Sequence, residues 1–157
     1  MKIGIMGGTF NPIHNAHLLI AEMAREEYGL ERVIFITDGN PPHKSANVTA
    51  KQRFEMTHIA IADNSAFEED DFEINRSEKS YTVNTLGYLK EKYPNDDLFF
   101  IIGEDSLNDF DKWYKPDKIL EMCSLLVFPR KSLKSLTETI KAVKEKMNGR
   151  IFPISAP

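Results

Sequence analysis

The stretch MGGTFNPIHNAH, residues Met6–His17, lies between an apolar run at Ile3–Met6 and a helix-like segment at Leu18–Arg25. Paired glycines after a strand let the backbone approach an anion closely, and the first turn of the next helix offers free N–H groups with a partial positive charge. Two histidines three positions apart, His14 and His17, add donors at the same place. The stretch therefore predicts a phosphate cradle between a first strand and a first helix.

Strand-like and helix-like segments alternate along the rest of the chain. The predicted strands are Lys2–Met6, Arg32–Thr37, Phe72–Ile74, Leu98–Ile102, Leu125–Phe128 and Arg150–Ile154. The predicted helices are Ala16–Tyr28, one capped by Thr49, Thr82–Tyr93, Ser106–Phe110, Pro116–Met122 and an amphipathic stripe at Leu133–Met147. This alternation predicts an α/β fold, a Rossmann-like doubly wound parallel sheet with helices on both faces. Because such sheets bind ligands beyond the carboxyl ends of strands where the strand order reverses, Gly7, Gly8 and Gly103 mark the expected crevice.

The composition is that of one ordinary globular domain. The chain has 157 residues, 41% hydrophobic and 28% charged, with a net charge of −4 that argues against general nucleic-acid binding. Its single cysteine, Cys123, is expected to be a buried thiol in a reducing compartment. Since no signal peptide and no apolar run of about 20 residues is visible, we expect a cytoplasmic protein without a membrane partner. Homo-oligomerisation stays open.

The glycine pair does not fit two familiar phosphate-binding loops. It lacks the Gly-Lys-Ser/Thr of the P-loop and the three-glycine spacing of dinucleotide oxidoreductases. By itself it is compatible with a simple tight turn. The His14 and His17 pair also lacks a third ligand at a recognisable spacing, so no protein-bound metal is expected.

Five ordered motifs carry a family resemblance over essentially the whole chain. The first is Gly7–His14, read as GGTFNPIH, followed by His17. The later ones are Pro41–Lys44 (PPHK), Ser80–Leu86 (SYTVNTL), Ile102–Asp105 (IGED) and Lys112–Tyr114 (KWY). In this order and spacing they resemble the bacterial nicotinate-nucleotide adenylyltransferases, members of the nucleotidyltransferase superfamily with a His/Thr-x-Gly-His signature.

The sequence departs from that family pattern at two places. Ala16 stands where the signature usually has glycine, and its methyl group would either crowd a bound phosphate or be absorbed by a small shift of the chain. The family also has a Ser-Ser-Thr-x-Ile-Arg block after the last strand, whereas this sequence ends at Pro157 without one. We therefore expect a single nucleotidyltransferase domain over residues 1–157 that is truncated at its C-terminus.

The resemblance implies transfer of AMP from ATP to nicotinic acid mononucleotide, with release of pyrophosphate. Because the attacking phosphate is already anionic at neutral pH, such a reaction needs positioning and charge stabilisation more than a strong base. Mg²⁺ would accompany ATP and bind mainly to phosphate oxygens and water.

The same resemblance assigns roles to individual residues. The expected catalytic residues are His14, His17, Thr9 and Lys44. The expected ATP-binding residues are Gly7, Gly8, Phe10, Gly103, Asp105 and Arg130. The mononucleotide is expected to contact Thr82, Trp113 and Tyr114, with the pyridine ring against the indole and the carboxylate at Thr82 and the Tyr114 backbone. Asp105 has a second interpretation as a helix cap.

Two other functions remain compatible with the sequence. Pantetheine-phosphate adenylyltransferase shares the expected fold and suits the chain length, although His14 replaces that family's threonine. A nucleotide-binding protein without catalysis would fit Ala16 and the missing C-terminal block. Transfer of AMP to nicotinic acid mononucleotide or to phosphopantetheine distinguishes these alternatives.

Overall fold

Six strands and six α-helices alternate along the residues that the computed structural model describes, which are 1–8, 10, 12–39, 49–76 and 80–155. The strands are β1 (Lys2–Gly8), β2 (Arg32–Thr37), β3 (Phe67–Asp70), β4 (Asp97–Gly103), β5 (Ser124–Phe128) and β6 (Ile151–Pro153). The helices are α1 (Asn15–Tyr28), α2 (Ala50–Ile61), α3 (Thr82–Lys92), α4 (Glu104–Asn108), α5 (Pro116–Met122) and α6 (Leu133–Lys146), with a 3₁₀ turn at Phe110–Lys112.

All six strands are parallel and lie in the order β3-β2-β1-β4-β5-β6. The chain reverses direction across the sheet between β1 and β4, so the predicted doubly wound topology is confirmed. Pairing of β1 with β4 stops at Met6 and Ile101, whereas pairing of β1 with β2 continues to Gly8 and Thr37. The last two residues of β1 therefore follow β2, and a gap opens beside β4 at the carboxyl edge.

The predicted strand at Phe72–Ile74 is wrong. The third strand instead lies at Phe67–Asp70, and the Phe72 N–H donates to Asp70 Oδ1 over 2.9 Å in the turn that follows. The acidic segment forms a strand because its carboxylates find partners. Glu68 pairs with Arg32 at 3.1 Å, Glu69 with His58 at 2.7 Å and Asp70 with Lys92 at 3.1 Å. Strand propensity alone misses such compensation.

Two apolar layers enclose the sheet. Residues of α3, α5 and α6 pack with Ile3 and Ile5 on one face, and Ala21 and Ala24 of α1 pack with β2 on the other. Cys123 is buried as predicted, and this burial raises the pKa of its thiol to about 12. Within the described part of the chain, no helix has the length and apolar character needed to cross a membrane.

Candidate active site

Two neighbouring cavities occupy the carboxyl edge of the sheet where the strand order reverses. Gly7, Phe100 and Trp113 line both of them. The cavity that also contacts His17 and Gly103 has a volume of about 250 Å³ and is called the histidine cavity below. The cavity that also contacts Gly8 and Thr82 measures about 230 Å³ and is called the threonine cavity. Both glycine-bearing strand ends thus meet at one crevice, as the sequence predicts.

The start of α1 brings the two histidines together. His14 is the N-cap residue and His17 is the third residue of the helix, and their ring centroids lie 4.2 Å apart. The His14 N–H donates to His17 Nδ1 over 3.2 Å. This bond satisfies one helix-terminal N–H in the way that a capping-box side chain does. His14 is exposed, whereas His17 is half-buried and lines the histidine cavity.

The same hydrogen bond determines which nitrogen of His17 carries the proton. Because Nδ1 accepts from a backbone N–H, the neutral ring holds its proton on Nε2. Burial, and then the neighbouring His14, lower the pKa of His17 below its ordinary value. His17 is therefore a neutral Nε2–H donor at neutral pH, suited to an oxygen that gains negative charge.

Phe10 packs its ring against the His17 ring. Its side chain is 3% exposed, and its ring meets the imidazole edge-on at a centroid distance of 5.3 Å. Its backbone adopts φ +48°, a conformation that non-glycine residues rarely take. A side chain on Gly8 would place its Cβ 2.9 Å from the Phe10 ring. The Phe10 side chain thus belongs to the core, so any ligand contact must come from its backbone.

The end of β4 is tied to the segment after β5 by Glu104. This buried carboxylate accepts hydrogen bonds from the Arg130 N–H at 3.1 Å, Ser135 Oγ at 3.2 Å and Thr139 Oγ1 at 3.0 Å. The bond from the Arg130 N–H lowers the pKa of Glu104 most. This role of Glu104 is not visible in the sequence, since a glutamate directly after a strand carries no signal of distant partners.

Asp105 and Arg130 lie next to this junction. Their exposed side chains pair with each other at 3.3 Å. Asp105 is the second residue of α4, and Gly103 occupies the N-cap position, so Asp105 is not the N-cap residue of this helix. Asp105 and Arg130, both predicted to bind ATP, therefore lie together, and their ion pair is weak because solvent screens it.

The three residues predicted to bind the mononucleotide, Thr82, Trp113 and Tyr114, lie together. Thr82 is the first residue of α3, and the Trp113 ring packs on Phe110 at 4.9 Å and edge-on to Phe100 at 6.1 Å. Trp113 also lines a third cavity of about 280 Å³ with Ser80, Thr82 and Tyr114, called the outer cavity below. One aromatic ring thus borders all three cavities.

Two acidic residues that the sequence analysis did not single out line the threonine cavity. Asp38 follows β2, and Glu73 lies in the turn after β3, where its Oε2 accepts from Thr85 Oγ1 over 2.6 Å. Burial raises the pKa of Glu73 to about 7, against the effect of the Thr85 bond. Only the folded chain reveals this pair, because 35 positions separate its members.

Two predicted catalytic residues, Thr9 and Lys44, lie outside the described residues, as does His43 beside the latter. Their roles stay predictions. Within the described ranges, no group of three or more His, Cys, Asp or Glu side chains is arranged to hold a metal ion.

Comparison with known proteins places this geometry in a family. The model of the cytidylyltransferase-like family matches residues 5–155. A protein of Citrifermentans bemidjiense that carries the name nicotinate-nucleotide adenylyltransferase is 47% identical over 144 residues, covering 89% of this chain and 67% of that protein. A Geobacter sulfurreducens protein of the same name is 49% identical, covering 83% of this chain and 61% of its own length.

A solved structure agrees in fold. Nicotinic acid mononucleotide adenylyltransferase of Plasmodium falciparum, complexed with NaAD, superposes with a TM-score of 0.80 at 22% identity, covering 99% of this chain and 75% of that one. At this identity the likeness concerns the fold alone. This chain spans about two thirds of the length of the curated relatives. The chain belongs to the cytidylyltransferase-like family and, within it, to the nicotinate-nucleotide adenylyltransferases.

Proposed function

We propose that this chain transfers AMP from ATP to nicotinic acid mononucleotide, giving nicotinic acid adenine dinucleotide and pyrophosphate. The observation that carries the proposal is the pair of cavities that meet at Gly7, Phe100 and Trp113. One is lined by His17 in the first turn of α1, where a phosphate could bind, and the other has Thr82 and an indole ring. A reaction that joins two nucleotides requires two such compartments with a shared border.

In the proposed step, a phosphate oxygen of the mononucleotide attacks the α-phosphorus of ATP. The bond from that phosphorus to the oxygen bridging to the β-phosphorus breaks, and pyrophosphate leaves with the electron pair. His17 Nε2–H is placed to donate to an oxygen on which charge grows, while the first turn of α1 adds backbone N–H groups. Neither group has to reorganise during the reaction, which is why such donors lower the barrier.

Trp113 would bind the pyridine ring, and Thr82 would meet its carboxylate. On the other side, Gly103 borders the nucleotide that supplies AMP, and the Asp105–Arg130 pair beside it offers a carboxylate for ribose and a guanidinium for phosphate. Mg²⁺ is proposed to enter with ATP and to neutralise the triphosphate. Its ligands would be mainly phosphate oxygens and water.

The test measures pyrophosphate release and the organic product with ATP, Mg²⁺ and either nicotinic acid mononucleotide or 4′-phosphopantetheine. We expect the dinucleotide and an equal amount of pyrophosphate with the mononucleotide only. The name of the curated relatives favours this acceptor. Turnover of phosphopantetheine alone would overturn the proposal, and binding of ATP without turnover of either acceptor would show a nucleotide-binding protein instead.

A further inference from the structure

The outer cavity has one charged side chain among the described residues that line it, and that charge is positive. It belongs to Lys112, which lines the cavity together with Trp113 and Tyr114. The threonine cavity, which shares Ser80, Thr82 and Trp113 with the outer cavity, has the opposite character, because Asp38 and Glu73 are in its lining. A ligand with a negatively charged end is therefore favoured to place that end in the outer cavity.

Hydrogen-bond donors of two further kinds converge on the same cavity. Thr82 is the first residue of the 11-residue helix α3, so its N–H is one of those without a partner inside the helix. Ser80 Oγ is buried and has no hydrogen-bond partner in the described part of the chain. A buried hydroxyl without a partner is costly unless a ligand or water satisfies it.

Lys112 is held only loosely within the protein. Its Nζ lies 3.8 Å from Asp109 Oδ1, and the two side chains are 77% and 67% exposed. Such a pair contributes little to stability, so the ammonium group can turn towards a ligand at small cost. It is also a compact, flexible point charge, which suits a carboxylate on a small ring.

We propose that Ser80 and Lys112 are mononucleotide-binding residues with different tasks, Ser80 donating to the substituent of the pyridine ring and Lys112 selecting a carboxylate over a carboxamide. The inference rests on the proposed function, because it takes the pyridine ring to lie against Trp113. A hydroxyl bonds to either substituent, since both present an oxygen acceptor. Only a carboxylate gains from the ammonium charge, so Lys112 distinguishes the acid from the amide.

The test titrates the chain with nicotinic acid mononucleotide and with nicotinamide mononucleotide, following the fluorescence of Trp113, the only tryptophan in the sequence. The variants are Ser80→Ala, Lys112→Met and the matched control Lys118→Met. Lys118 is also exposed and also pairs loosely with an acidic residue three positions away, Glu121 at 3.9 Å, but it lies outside the lining of the outer cavity.

We expect Lys112→Met to lower the ratio of acid to amide affinity by about three- to fivefold, the size typical of an exposed charge pair. This ratio should also fall in the parent chain at 0.5 M NaCl, because salt screens the pair. Lys118→Met should leave the ratio unchanged. Ser80→Ala should weaken both ligands by a similar factor, on the order of fivefold.

An unchanged ratio in Lys112→Met, or an equal fall in Lys118→Met, would overturn the assignment of Lys112. Unchanged affinity for both ligands in Ser80→Ala would overturn that of Ser80. Pyrophosphate release is measured separately from binding. A chain that prefers the acid through Lys112 yet releases no pyrophosphate contradicts the proposed function alone, and a fluorescence that responds to neither mononucleotide contradicts both.

Discussion

At the scale of single residues, the bond from the His14 N–H to His17 Nδ1 links helix capping to the proposed chemistry. The capping bond holds the imidazole in one tautomer and one orientation, while the lowered pKa of His17 keeps it neutral. The two tasks can be separated, because glutamine is a natural capping residue at the third position of a helix. It can accept from the His14 N–H but lacks the ring that brings Nε2–H into the cavity.

We therefore expect His17→Gln to fold normally and to lower kcat by roughly 100- to 1000-fold, the usual effect of removing one donor to a developing charge. Steady-state kinetics with both nucleotides saturating measures this effect, and thermal unfolding checks the fold. The control is His58→Gln, which removes an exposed histidine of α2 that pairs with Glu69 of β3. Undiminished kcat in His17→Gln would exclude His17 from the reaction.

Glu73 provides a prediction about pH. Its pKa is about 7 in the folded chain and ordinary in the unfolded chain, so the folded state holds the proton more tightly. Stability must then fall as pH rises from about 4.5 to 7. Between pH 5 and pH 8 we expect Glu73 to lower the free energy of unfolding of the parent chain by roughly 2.5 kcal/mol.

Urea unfolding of Glu73→Gln and the parent chain at both pH values tests this expectation. The variant should lose less stability than the parent on going to pH 8, because it has no proton to release. Glu91→Gln, at an exposed position of α3, should behave like the parent. Equal losses in Glu73→Gln and the parent would show that this carboxyl group does not titrate near neutrality.

At the scale of secondary-structure elements, the periodic segments are predictable and the irregular ones are not. The bounds of β2 and α5 match the prediction, and Gly29 ends α1 in the left-handed region at φ +65°. These elements depend on local signals such as β-branched runs, a first-turn proline and a terminal glycine. The strand β3 depends instead on side-chain partners from α2, β2 and α3, which the local sequence does not show.

The residues of the candidate site likewise include some that the sequence predicts and some that it does not. Gly7, His17, Gly103, Thr82 and Trp113 line the cavities, and their contacts with ligands stay predictions. Packing also favours glycine at position 103, which the sequence does not show, since a Cβ there would lie 2.9 Å from the Phe128 ring. The roles of Glu104 and Glu73 are not apparent from the sequence, because each carboxylate accepts hydrogen bonds from residues at least 12 positions away.

Glu104 gives a prediction for the junction of β4, the turn after β5 and α6. Glu104→Ala leaves the Arg130 N–H and the Ser135 hydroxyl without their acceptor, while the Thr139 hydroxyl keeps the Ser135 carbonyl, so we expect a loss of roughly 2 kcal/mol in the free energy of unfolding. Because Arg130 is then held less firmly, KM for ATP should rise more than KM for the mononucleotide. Chemical denaturation and initial rates measure the two effects.

The matched control is Glu145→Ala, which removes an exposed glutamate of α6 and should change stability by less than about 0.5 kcal/mol. A destabilised Glu104→Ala chain with both KM values unchanged would confine Glu104 to a structural role.

At the scale of the whole molecule, the parallel sheet explains why the functional residues converge. Every strand ends at the same edge, and the reversal of strand order between β1 and β4 leaves a gap that the helices on either face cannot fill. The opposite edge carries a larger cavity of about 510 Å³, lined by Lys2, Tyr28 and Arg150 among others. Size alone would favour that cavity, whereas the convergence of motifs favours the carboxyl edge.

A crystal structure of the chain with nicotinic acid adenine dinucleotide tests the central claim most directly. We expect the pyridine ring against Trp113 in the threonine and outer cavities, the diphosphate beside Gly7 and His17, and the adenosine beside Gly103. A dinucleotide bound in the cavity at the opposite edge, or one that leaves either the histidine cavity or the threonine cavity empty, would contradict a site built to join two nucleotides.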